Sequence, residues 1–257
     1  MKISFGLAIA LSAGVAHADP VVVERSSSCP TKNEKARDAY NRGYGAQKRG
    51  ELDAAETAYK EAIALDARYC DAMDNLGQVY RARHDDVNAV LWYRKSIAIS
   101  PNNQVAHQSL AAAYVRAARY DDALGEYDIL IKLDPNDAEG PYGKAAVLWT
   151  AKRYREALVP IALAETLYAK AKSPLVADAQ FIEGLCHAEL GEWLKARAVL
   201  EPLESAREND KRWHFALGRA WVLGEPRDAA KAKAHLERAR SLGAAVPDEL
   251  MKKTETP

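Results

Sequence analysis

The residues able to do chemistry are few in this 257-residue chain, which holds three cysteines and six histidines. Cys186 and His187 are adjacent, and a cysteine beside a histidine invites a metal reading. Neighbouring residues on a helix do not share a face, so the two are poorly placed to hold one ion. No C-x-x-C or H-E-x-x-H spacing is present, and no metal site is expected. Asp85-Asp86 and Asp121-Asp122 are paired acids, the type of group that general acid–base chemistry uses. Both pairs fall in expected inter-helix turns. Asp121-Asp122 precedes a helical pattern, where the helix dipole favours negative charge, so capping accounts for them. The chain has no G-x-S-x-G elbow, P-loop or Gly-rich dinucleotide fingerprint. These observations imply no enzyme and no cofactor.

The first segment reads as an address. Residues 1–18, MKISFGLAIALSAGVAHA, place one charge, Lys2, before an apolar run that ends in Ala16-His17-Ala18. A run of about 14 residues is short of the ~20 needed to span a bilayer. Its end fits the small-x-small cleavage rule, so a cleaved signal is expected, with the mature chain starting at Asp19 and reaching the periplasm or the exterior. Lys plus Arg and Asp plus Glu each number 36, and this balance argues against a nucleic-acid binder. An oxidising compartment permits disulfides, and three cysteines leave at least one unpaired within the chain.

The elements that must position any site come from an internal repeat. Small residues recur every 34 positions at Gly43, Gly77, Ala111 and Ala145, and again at Gly184 and Gly218 after one gap of 39. A second series, Ala55, Ala89, Ala123, Ala157, Ala196 and Ala230, carries the same gap. Tyr59, Tyr93 and Tyr127 follow the second series by four residues, and Pro101 and Pro135 close two units. Within a unit, apolar residues recur at helical spacing: Ala106, Leu110, Ala111 and Tyr114, then Ala123, Leu124, Tyr127 and Leu130. Two helices of about 14 residues joined by a short turn make an αα-hairpin. One such hairpin cannot cover its own apolar face, so hairpins must stack.

This pattern resembles the tetratricopeptide repeat family, over about residues 36–243. The resemblance implies an all-α, right-handed superhelical solenoid of stacked antiparallel helix pairs. The expected repeats are 36–69, 70–103, 104–137, 138–176, 177–210 and 211–243. An extended lead-in over 19–35 precedes them, and a cap and tail over 244–257 follow. The fourth and fifth repeats carry Pro160 and Pro202 where a helix is expected, and the turn at 223–228 has room for one or two extra residues. In the stacked arrangement a lead-in folded back over the first hairpin brings Cys29 to Cys70, and either a disulfide staple or two free thiols results. Cys186 is expected as a buried apolar residue. His107 and His214 are expected as packed structural residues, and His84 and His235 as exposed ones.

In the family the first helix of each repeat lines a concave face. The matching positions here are Tyr40, Tyr44, Asp74, Asn75, Gln78, Arg81, Gln108, Tyr142, Trp149, Phe181 and Phe215. Tyr40, Tyr44, Val105 and Ser109 stand where a two-carboxylate clamp would need Lys, Asn or Arg, and only Asn75 agrees, so that clamp is rejected. The resemblance therefore implies an adaptor that holds a peptide or helical segment of a protein partner, in assembly of a cell-envelope complex. Aromatic side chains suit such anchoring. The same aromatics could instead be buried between repeats. A glycan- or peptidoglycan-associated envelope protein and a self-assembling scaffold are the alternatives.

Overall fold

The computed structural model describes residues 29–255, so the expected signal and residues 19–28 of the lead-in lie outside the described residues. Every element it describes is helical. The chain divides into two compact units, one ending at Pro135 and the other beginning at Asn136.

The first unit is three antiparallel hairpins: α1 (Glu34–Lys48) with α2 (Leu52–Leu65), α3 (Cys70–Ala82) with α4 (Asp86–Ile99), and α5 (Gln104–Arg116) with α6 (Tyr120–Leu133). Asn33, Asp85 and Asn103 cap α1, α4 and α5 by accepting from the backbone N–H three residues on, which satisfies one of each helix's orphan donors. The turns inside the hairpins hold a residue at positive φ: Gly50, His84 and Ala118, spaced by the same 34 residues as the small positions. The reason for the small positions is steric. A Cβ on Gly43 would lie 2.8 Å from the Tyr59 ring, so only glycine lets the two helices close to this distance. At the same two places of the third hairpin stand Ala111 and Tyr127, both buried.

The second unit contains α7 (Glu139–Thr150), α8 (Tyr154–Lys170), α9 (Val176–Glu189), α10 (Trp193–Leu200), a 3₁₀ turn (Glu201–Leu203), α11 (Glu204–Arg207), α12 (Lys211–Leu223), α13 (Ala229–Ser241) and α14 (Asp248–Lys252). The two prolines act differently. Pro160 is buried inside α8, which continues because Ile161, Ala164 and Tyr168 beyond it are buried. Pro202 sits in the 3₁₀ turn that ends α10, where its missing N–H costs nothing. A Cβ on Gly184 would meet Leu200 at 2.5 Å, and one on Gly218 would meet Leu236 at 2.6 Å.

That last contact corrects the second alanine series. Ala230 is exposed, and the fully buried Ala232, four residues before Leu236, takes its place. The turn at 224–228 therefore holds two extra residues. They are fixed by Arg197, whose guanidinium donates to the carbonyls of Glu225 and Pro226, both at 2.8 Å, and lies 4.2 Å from the Trp221 ring centre.

Candidate partner-binding face

In the first unit the candidate face is built by α1, α3 and α5. Tyr40 is half-buried among Tyr44, Tyr59 and Tyr69, with ring centres 5.2–6.5 Å away. Its hydroxyl accepts from Asn75 Nδ2 at 2.8 Å, and burial pushes that hydroxyl's pKa up to about 12. Asn75 is buried, so it serves as a strut between α1 and α3. Gln78 is also buried. Its Oε1 accepts from Gln47 Nε2 at 3.4 Å, and Gln47 Oε1 accepts from the Tyr59 hydroxyl at 2.7 Å. Tyr44, Arg81 and Gln108 keep part of their side chains exposed, one on each successive first helix. Lys48 Nζ stands 4.6 Å from the Tyr44 ring centre and places positive charge beside that ring.

Asp74 does not line the face. It is 3% exposed and its Oδ2 accepts from Asn103 Nδ2 at 2.7 Å, while Asn103 also donates to Ser96. Burial outweighs these hydrogen bonds and pushes the Asp74 carboxyl up to about 6. Its role is to tie α3 to the junction of α4 and α5. The helical position alone pointed it at a partner; the residues that receive it, Asn103 and through it Ser96, lie at the N-cap of α5 and within α4.

In the second unit Phe181 is likewise buried, with the guanidinium carbons of Arg207 and Arg212 at 4.6 and 5.2 Å from its ring centre. It is a core residue, packed with Leu185, Trp213 and Leu217. Tyr142 is half-buried edge-on to Tyr168, and the Tyr168 hydroxyl donates to Glu139 at 2.8 Å. Trp149 packs edge-on to Tyr154. Phe215 packs against the cluster of Leu236, Ala239 and Val246 beneath α14. Three of these four thus keep partial exposure, but each also supports its own unit's packing.

Cys29 and Cys70 are joined in a disulfide with Cα atoms 5.5 Å apart. Asn33 Nδ2 donates to the Leu65 carbonyl at 2.9 Å, and Thr31 donates to Asp66, so the lead-in is fastened along the end of the first hairpin. Cys186 is buried and free, and burial pushes its thiol up to about 12. His107 and His214 are buried, and each Nε2 donates at 2.9 Å to a carbonyl six residues earlier, on Pro101 and Glu208. His84 is exposed. His235 is not: it is half-buried against Trp213 and His214, and burial lowers its pKa to about 4. Sequence reasoning missed it because Trp213 and His214 belong to the preceding helix. The arginines on Phe181 were missed because they stand on later helices, α11 and α12, and no local signal marks them.

Antiparallel hairpins with small residues beneath bulky ones, recurring along each unit, define a helical-repeat protein. The tetratricopeptide repeat family model matches residues 35–104 and 109–169, together half of the chain, and the chain belongs to that family. Anaphase-promoting complex subunit 3 of Schizosaccharomyces pombe is 31% identical over 134 residues, which cover 52% of this chain and 19% of that protein. The chain spans a fifth or less of the length of the first curated relatives it matches. Among solved structures, Pseudomonas aeruginosa pilF superposes with a TM-score of 0.68 at 18% identity, covering 88% of this chain and 99% of that one. YrrB, described as a TPR protein with an unusual peptide-binding site, gives 0.61 at 17% identity, covering 78% and 98%. At these identities the two structures establish the fold.

Proposed function

We propose that this chain is an exported adaptor, without chemistry of its own, that holds an extended or helical segment of a protein partner on the first helices of its repeats. The observation that carries this reading is the partial exposure of Tyr44, Arg81 and Gln108 on α1, α3 and α5. Each is partly exposed, while the residues around them, Asn75, Gln78 and Asp74, are spent on internal hydrogen bonds. An aromatic ring, a guanidinium and an amide on successive first helices offer apolar, charged and hydrogen-bonding anchors for a bound segment. The peptide-binding site named for YrrB and the complex named for the yeast relative support the same class of role.

Export is supported by the signal-like residues 1–18 and by the Cys29–Cys70 disulfide, which suits an oxidising compartment. No helix among the described residues is long and apolar enough to cross a membrane. The six repeats at 36–69, 70–103, 104–137, 138–176, 177–210 and 211–243 belong to this reading, as does a place in assembly of a cell-envelope complex.

The test is affinity capture from periplasmic extract with the wild type beside a Tyr44→Ala, Arg81→Ala, Gln108→Ala variant whose helicity is unchanged by circular dichroism. One protein retained by the wild type and lost by the variant is the expected result. No protein retained by either, or equal retention by both, overturns the reading.

A further inference from the structure

Two carboxyls meet where the repeat elsewhere is apolar. The 34-residue register that relates Ile63, Ile97 and Ile131 puts Glu165 next, on α8. The register of the buried Leu76 and Leu110 runs on through Lys144 and, after the gap of 39, to Glu183 on α9. The two positions that hold isoleucine and leucine on α2 and α3, and again on α4 and α5, therefore both hold glutamate on α8 and α9.

Glu165 is half-buried, and its Oε1 is enclosed with no donor among the described residues. The group it meets is the Glu183 carboxyl, within hydrogen-bonding reach. Two carboxylates in one enclosed place repel, and a hydrogen bond between them needs one proton. Burial first, and then the charge of Glu183, push the Glu165 carboxyl up to about 7.

The neighbouring elements leave these two groups to each other. On α8 no residue within four positions of Glu165 carries a charge. On α7 stand Glu139, which accepts from the Tyr168 hydroxyl, and Lys144, and neither charge acts on Glu165. On α9, Glu183 lies 3.7 Å from His187 Nε2 and beside the buried Cys186 thiol. His187 is turned to another acid, with Nδ1 2.7 Å from Glu192 Oε2. Arg155 and Lys195 also pair with Glu192, at 3.6 and 3.1 Å. Arg197 of α10 donates to the Glu225 and Pro226 carbonyls, and on α12 Arg212 pairs with Asp210 and Arg219 with Glu189.

We propose that Glu165 and Glu183 are a proton-operated clasp between α8 and α9. With one proton between them, the protonated carboxyl donates to the other and holds the two helices together. Release of that proton to solvent sets two carboxylates against each other and loosens the junction. The direction follows from linkage. The folded pair keeps its proton above the ~4.3 of a free glutamate, so its stabilisation is fully present below that value and is lost as pH rises through neutrality.

The experiment is hydrogen exchange with mass spectrometry on the purified full chain at about pH 5.5, about pH 7 and about pH 8.5, corrected for the intrinsic pH dependence of exchange. Protection of α8 and α9 in the wild type is expected to fall at least about tenfold from the lowest to the highest pH. Glu165→Gln keeps a donor to Glu183 without a titrating proton. Glu165→Ile places there the residue found at 63, 97 and 131, so it suits the repeat. Circular dichroism checks that both variants are folded, and both are expected to hold the protection of α8 and α9 constant over the range. A wild type whose α8 and α9 protection does not fall overturns the proposal. So does a fall that either folded variant retains.

Discussion

The backbone of Gly77 in α3 rests on the ring of Tyr93 in α4: a Cβ added at Gly77 would lie 2.5 Å from Tyr93 Cε1 and 2.9 Å from Cδ1. Tyr93 is completely buried and cannot swing aside. Gly77→Ala is therefore expected to destabilise by about 1–3 kcal/mol through overpacking. Gly125→Ala is the control, because a Cβ added there would meet no atom within 4 Å. Urea denaturation of the two variants gives the comparison, and equal midpoints would remove the steric account of the 34-residue period.

The disulfide closes a loop between positions 29 and 70, and in the chain-entropy view such a loop is worth about 4 kcal/mol. Cys29→Ser, Cys70→Ser is expected to lower the melting temperature relative to the oxidised wild type, with most of the loss at the first hairpin. Thiol labelling gives a separate check. The folded oxidised chain should label at no cysteine, because Cys186 is buried with its thiol pushed up to about 12, and at one after denaturation.

Asp74 makes the stability of the first unit pH-dependent. Its folded pKa of about 6 lies above the ~3.9 of a free aspartate, so folding takes up a proton between these values. The associated stability is fully present below the unfolded value and is lost as pH rises through the folded one. The wild type is expected to gain up to about 3 kcal/mol relative to Asp74→Asn on going from about pH 7.5 to about pH 4. Denaturation curves of the pair across that range provide the measurement, and parallel pH profiles would contradict the assignment.

Ala118 holds the left-handed conformation at φ +54° in the turn between α5 and α6, where Gly50 serves the first hairpin at φ +76°. A non-glycine residue there costs roughly 1–2 kcal/mol, partly offset by the greater freedom glycine has in the unfolded chain. Ala118→Gly is expected to raise stability by up to about 1 kcal/mol, read as an upward shift in melting temperature. A decrease would mean that the unfolded-state term dominates.

Much of the architecture was legible because the period is enforced by contacts that leave a mark on single residue types. Gly43, Gly77, Gly184 and Gly218 each oppose a bulky residue, and no larger side chain satisfies the same distance. The turn at 224–228 was less legible. Its two extra residues are stabilised by Arg197, which is 28 and 29 residues away from its carbonyl partners, so nothing nearby distinguishes Ala230 from Ala232. The candidate site was readable only in part. Helical position identifies which side chains point from α1, α3 and α5, and this held for Tyr44, Arg81 and Gln108 as partly exposed residues. It could not reveal that Asp74 meets Asn103, or that Phe181 lies under Arg207 and Arg212, because those partners stand on other helices and turns, distant in sequence. Polarity at Asp74 suggested solvent, and an internal hydrogen bond from Asn103 to its Oδ2 won.

A partner segment lying along α1, α3 and α5 is best tested by photo-crosslinking in the living cell. A photoreactive phenylalanine analogue is placed in turn at Arg81, at Gln108 and at Val87, which is exposed on α4. Positions 81 and 108 are expected to capture the same protein through one contiguous stretch of its sequence, and position 87 is expected not to. Capture of no protein from 81 and 108, or the same capture from 87, would contradict partner binding on the first helices.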